Sequence, residues 1–172
     1  MAVNIKLKQN VDEMCSILEE IAVRAGLDEG SGEALRADLG KYMMYLSASD
    51  GNISWDEVRD ICYICNLNIS PNEVNQFVRE NRIYSTEFER TVPVSFKLMV
   101  DFDKFNPGIL DISLSEFTLK LYKTVGAVLL KSDGNINNNE VSDFTIYTKM
   151  LENYRNAKLS GGYGSVPAPS KI

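Results

Sequence analysis

Two octapeptides, Asp50-Gly51-Asn52-Ile53-Ser54-Trp55-Asp56-Glu57 and Asp133-Gly134-Asn135-Ile136-Asn137-Asn138-Asn139-Glu140, share the pattern D-G-N-I-x-x-x-E and stand 83 positions apart. Each is flanked on both sides by sequence with helical periodicity, so each reads as a tight acidic turn between two helices. The correspondence continues outside the octapeptide, pairing Ser49 with Ser132, Leu46 with Leu129, Val58 with Val141 and Asp60 with Asp143. Two copies are too few for a solenoid. The expected fold class is therefore all-α, a compact bundle of about seven or eight helices with an internal pseudo-twofold repeat.

The remaining periodicity fits that plan. Val11, Met14, Leu18, Ile21 and Ala25 recur at three- and four-residue intervals, as do Leu35, Leu39, Tyr42 and Leu46. These predict two amphipathic helices separated by a break over Gly26 to Gly32. A helix is expected from about Ser54 to Asn66, and another after Ser70-Pro71-Asn72-Glu73, where Pro in the first turn and Glu three residues after Ser form a start signal. Ser85 to Arg90 reads as a short helical turn, and Pro93 opens a helix that Asn106-Pro107-Gly108 stops. Ser113-Leu114-Ser115-Glu116 resembles another capping box ahead of a long helix to Leu129. The last helix starts near Asn138 and loses its pattern after Tyr154. A helical domain over residues 1–158 and a disordered Gly/Ser/Pro-rich tail over 159–172 follow.

Composition removes several function classes. The chain has no histidine, which eliminates Ser-His and Cys-His nucleophile pairs and imidazole metal ligands. A net charge of −6 offers no basic stripe for phosphates, so nucleic acid is not an expected partner. No segment has the length of apolar residues that spans a bilayer, and the first residues lack a secretory core, so a cytoplasmic location is expected. Cys62 and Cys65 have C-x-x-C spacing inside an apolar run with no second pair, and Cys15 lies in a similar run. All three are expected to be buried as small hydrophobes.

The repeated motif matches the second half of a calcium-binding EF-hand loop. Asp50 falls on the fifth loop position, Gly51 on the sixth, the Asn52 carbonyl on the seventh and Glu57 on the twelfth. The first and third positions fall on Leu46 and Ala48, and on Leu129 and Lys131 in the second copy, so neither loop is complete. Two half-sets facing one another would form an oxygen-rich site from Asp50, Asn52 and Glu57 with Asp133, Asn135 and Glu140, suited to Ca2+ or Mg2+ at low affinity. The same Glu residues also read as helix caps, since Ser54/Glu57 and Asn137/Glu140 share their spacing with Ser70/Glu73 and Ser113/Glu116. On that reading Gly supplies a positive φ and the following Ile plugs the core. One Glu can serve both roles.

The pattern Ser-Asp-Gly-x-Ile, three residues, Glu, given twice in an all-helical chain, resembles the tellurite-resistance TerB family and its TerB-like relatives. The resemblance runs from the second helix to the last. It implies a helical bundle with pseudo-twofold repeats, metal binding through Asp50, Glu57, Asp133 and Glu140, and a role in stress response or as an accessory module in larger assemblies. Asn138 and Asn139 stand where acidic or small residues are expected, which points to weak binding. Two function classes follow. One is a non-enzymatic, cation-responsive stress module; the other is a metal-independent scaffold that recruits a protein partner, with Trp55, Tyr84 and Phe88 as candidate contact residues.

Overall fold

Helix starts are set by short polar side chains, and the computed structural model, which describes residues 2–51, 53–132, 134 and 136–160, places them closely. The elements are α1 (Ala2–Arg24), α2 (Ser31–Ser47) with a 3-10 turn (Ala48–Asp50), α3 (Trp55–Cys65), α4 (Pro71–Glu80), α5 (Thr86–Arg90), α6 (Val94–Phe105), α7 (Leu114–Leu129) and α8 (Asn138–Ser160). Seven helices have ten residues or more and α5 is a five-residue turn; no strand occurs among the described residues. At α3 and α4 the expected capping boxes form. Ser54 and Ser70 accept from the N–H of Glu57 and Glu73, whose carboxylates accept in return from the Ser54 and Ser70 N–H groups at 2.8 Å. α1 begins nine residues before Val11, and α8 continues through Ser160, past the loss of pattern at Tyr154. The tail over 161–172 lies outside the described residues.

Two other helices are capped from outside their own chain segment. The Glu19 carboxylate of α1 accepts from the N–H groups of Gly30 and Gly32 at the start of α2, each at 3.0 Å. The Asp103 carboxylate of α6 accepts from the N–H groups of Leu114 and Ser115 at the start of α7, at 3.0 and 2.8 Å. A carboxylate at that position satisfies orphan N–H donors and complements the positive helix end. The expected Ser113/Glu116 box is thereby only half realised: Ser113 accepts from the Glu116 N–H, but Asp103 supplies the anion. Arg155 of α8 ties this corner together, donating to the hydroxyls of Ser115 and Ser113.

α2 is the centre of the molecule. Sequence periodicity predicts one apolar stripe, yet residues 42–47 are buried without interruption, because α1, α3, α4, α6, α7 and α8 all pack on this helix. The packing partners come in matched sets: α1 lies on α2, α3 and α7, while α6 lies on α7, α8 and α2. Tyr42 and Tyr45 of α2 meet Tyr122 of α7, Tyr147 of α8 and Phe88 of α5 in one aromatic column, with ring centroids 4.8 to 5.7 Å apart along Tyr122–Tyr42–Tyr147–Tyr45–Phe88. The Tyr45 hydroxyl donates to Glu89 at 2.8 Å. The Tyr42 and Tyr122 hydroxyls are buried with no hydrogen-bond partner among the described residues.

Close packing dictates two glycines. A Cβ on Gly32 would stand 2.4 Å from the Cys15 carbonyl oxygen of α1, and one on Gly126 would stand 2.4 Å from the Tyr42 hydroxyl and 2.5 Å from the Phe144 ring. A Cβ on Gly40, by contrast, would meet the Cys65 Sγ at an ordinary 3.6 Å.

Two predictions follow from this core. Gly126→Ala should lose about 1–3 kcal/mol through overpacking, whereas Gly40→Ala should gain up to about 1 kcal/mol from helix propensity; urea melts of the two variants check the contrast. Burial holds the phenols of Tyr42 and Tyr122 protonated well above the usual 10.0 and raises Tyr45 and Tyr147 in the same direction. The fold therefore retains protons that the unfolded chain releases, a contribution complete below about pH 10 and lost as pH rises above it. Circular dichroism should show stability unaffected by these groups up to about pH 10 and unfolding above it, with tyrosinate absorbance rising in the same transition.

Candidate metal centre

Each repeated loop begins where a helix runs out of partners for its last carbonyls. After α2 the chain tightens into the 3-10 turn, and Gly51 takes a left-handed φ of +82° while its N–H donates to the Ala48 carbonyl. After α7, Gly134 takes φ +76° and donates to the Lys131 carbonyl. Glycine is the residue that adopts this conformation without a Cβ penalty, which is why both octapeptides carry it at the second place. The chain then turns into α3 or α8 through a capping residue. Ser54 accepts from the Glu57 N–H at 3.2 Å, and the Asn137 Oδ1 accepts from the Glu140 N–H at 2.9 Å. The Glu side chains return the bond through Oε2, to the N–H of Ser54 at 2.8 Å and of Asn137 at 3.3 Å.

Both glutamates are buried, Glu57 at 3% and Glu140 at 4% relative exposure. Asp50 is exposed at the end of the 3-10 turn. Asn52, Asp133 and Asn135 lie outside the described residues. The two isoleucines of the motif part company: Ile53 is 6% exposed and plugs the core as expected, while Ile136 is 54% exposed and does not. Val58 and its counterpart Val141 divide in the same way, at 2% and 41%.

The loops are joined by a pair of crossed hydrogen bonds. The Ser49 hydroxyl, at the first loop, donates to Asp143 of α8 at 2.7 Å. The Ser132 hydroxyl, at the second loop, donates to Asp60 of α3. Donors and acceptors are the very pairs that stand 83 positions apart, so each loop reaches the helix that follows the other. Asp60 and Asp143 lie one turn beyond Glu57 and Glu140, at 5% and 9% exposure. Asp60 also accepts from the Asn4 amide at 3.3 Å and faces Arg59 at 3.9 Å. Partial burial and the Asp143 carboxylate together raise the Tyr84 phenol above its ordinary value. These four residues are legible in the sequence only as matches outside the octapeptide, without a role attached.

A buried carboxylate needs hydrogen-bond donors or a cation to hold its charge, and four of them flank these two loops. Oxygen donors of this kind suit hard cations. Among the described residues no group of three or more His, Cys, Asp or Glu side chains stands in a metal-holding arrangement. The cysteines are elsewhere: Cys15 and Cys65 are buried, their thiols pushed up to about 11 and about 12 by that burial, and Cys62 is half-buried. Of the aromatic candidates for a contact surface, Trp55 is 74% and Tyr84 47% exposed, while Phe88 joins the aromatic column. No helix of the described residues is long and apolar enough to cross a membrane.

Removing one of the crossed donors tests what binds the loops. Ser49→Ala and Ser132→Ala should each cost about 1.5–3 kcal/mol, since each leaves a buried carboxylate short of a donor. Chemical denaturation measures both, and losses below about 0.5 kcal/mol would place the junction's strength elsewhere. No family model, curated protein or solved structure matches this chain.

Proposed function

We propose that the chain is a non-enzymatic, TerB-like helical module that binds a divalent cation, Ca2+ or Mg2+, weakly through its two D-G-N-I-x-x-x-E loops, and serves a tellurite-type stress response together with a protein partner. The observation that supports this reading is the crossed pair of serine–aspartate bonds, which draws the two acidic loops to each other's helices and sets them beside four buried carboxylates. The ligands would be Asp50, Glu57, Asp133 and Glu140, with oxygens of Asn52 and Asn135. The cation would supply positive charge to a carboxylate-rich junction, and its binding would add stability that grows with the logarithm of the cation concentration above the dissociation constant.

A thermal-shift titration with calcium, magnesium, manganese and zinc tests the reading. Calcium or magnesium at millimolar concentration should raise the melting temperature of the wild-type chain by a few degrees. Glu57→Gln with Glu140→Gln should abolish the rise while leaving the metal-free protein folded, because Gln retains the capping geometry. No shift, and no calorimetric heat at millimolar cation, would refute a cation site. A second reading, a metal-independent scaffold for a protein partner, is favoured by the exposure of Trp55 beside the first loop. It requires partner capture unchanged in the Glu57→Gln, Glu140→Gln chain and reduced by Trp55→Ala.

A further inference from the structure

The segment joining α6 to α7 closes on itself and leaves its apolar side chains outside. Gly108 takes φ +78°, the Ile109 N–H donates to the Asn106 carbonyl at 3.3 Å, and Asp103 holds the Leu114 and Ser115 N–H groups where α7 begins. On this held turn Phe105 is 67%, Ile109 68%, Leu110 37% and Ile112 46% exposed. Single exposed apolar side chains are ordinary, whereas four between residues 105 and 112 form a contiguous patch of the kind that marks an interaction site.

The path of α8 leads to this patch. α7 and α8 run antiparallel, since Phe144 faces Gly126, Tyr147 faces Tyr122, and Arg155 donates to Ser115 and Ser113. Arg155 therefore stands at the start of α7, one position from Ile112, and α8 continues past it to Ser160 with α6 alongside. That continuation adds about 7 Å of helix on the side where the α6–α7 turn lies. The last described residue of α8 is thus close to the exposed loop.

Gly161-Gly162-Tyr163-Gly164-Ser165-Val166-Pro167-Ala168-Pro169-Ser170-Lys171-Ile172 follows directly and lies outside the described residues. A segment of that length reaches up to about 40 Å when extended, enough to run the length of the loop. Glycine at 161, 162 and 164 permits a reversal of direction, and Pro167 and Pro169 restrict the chain, so holding it against a surface costs less entropy. Tyr163, Val166 and Ile172 supply apolar groups, and Lys171 is the only charged side chain of the segment. The loop offers the complement: Asp111 is exposed and makes no ion pair within 4.0 Å among the described residues.

We propose that residues 161–172 fold back across the α6–α7 loop of their own chain, with Tyr163, Val166 and Ile172 against Ile109, Leu110 and Ile112, and with Lys171 toward Asp111. The contact is an intramolecular cover: a partner that uses the apolar loop must first displace the segment. The patch lies at the opposite end of α7 from the second acidic turn and is independent of cation binding.

Methyl-resolved NMR of the full chain tests the cover. Nuclear Overhauser contacts should join the methyl groups of Ile109 and Ile112 to those of Val166 and Ile172, and should persist on about tenfold dilution, since a contact within one chain does not depend on concentration. Val166→Asp with Ile172→Asp, both beyond α8 and so harmless to the helical body, should shift the Ile109, Leu110 and Ile112 methyl resonances and leave those of the core in place. The same variant should raise binding of an apolar fluorescent dye at least about threefold. Lys171→Glu should move the loop resonances part of the way in the same direction. Absence of the contacts, or loop resonances and dye binding unaltered in the double variant, overturns the proposal. Contacts that fade on dilution assign the loop to a second copy of the chain and overturn the cover in cis.

Discussion

Packing of six other helices on α2 is the constraint on which the rest of the architecture depends. The helix is buried along residues 42–47, and both of its ends are closed by specific partners. At its start a carboxylate from α1 takes the orphan N–H groups, and at its end the chain tightens into a 3-10 turn closed by a left-handed glycine. That closure fixes where Ser49 stands, and so where the first loop meets α8. The aromatic column along the same helix sets the spacing of α7 and α8, with Gly126 yielding room for the Tyr42 hydroxyl.

Much of this was legible in the residues, and the reasons for the exceptions are physical. Helix starts at Ser54, Ser70 and Ser85 follow from local capping chemistry, which needs only neighbours three positions away. The anion at the start of α7 comes from α6, so the spacing of Ser113 and Glu116 indicated a cap but not its source. Periodicity found the apolar stripe of α2 and missed the unbroken burial of residues 42–47, because Met43, Met44 and Tyr45 break a single-stripe pattern only when helices pack on several sides.

The candidate loops show the same division. Their turn geometry is local, and the octapeptide specified it: both glycines adopt positive φ and both glutamates cap. Burial is not local. Ile53 and Ile136 occupy one motif position, yet one is covered and the other exposed, as are Val58 and Val141, since cover depends on which helices pass over each loop. The crossing of Ser49 to Asp143 and Ser132 to Asp60 is a relation between distant segments; sequence comparison marks these residues as paired but does not say that the pairs exchange partners.

The single tryptophan of the chain occupies the first position of α3, three-quarters exposed, while the aromatic column is built from tyrosine and phenylalanine. Selective excitation of the indole therefore samples the surface beside one acidic turn and is nearly blind to the interior. A change in its emission or quenching reports a local rearrangement at that turn, whereas loss of the packed interior registers in the near-ultraviolet dichroism of the tyrosines. Nature has thus provided two optical channels with separate addresses in one small molecule, and no dye or label is required to distinguish a moving turn from a melting body.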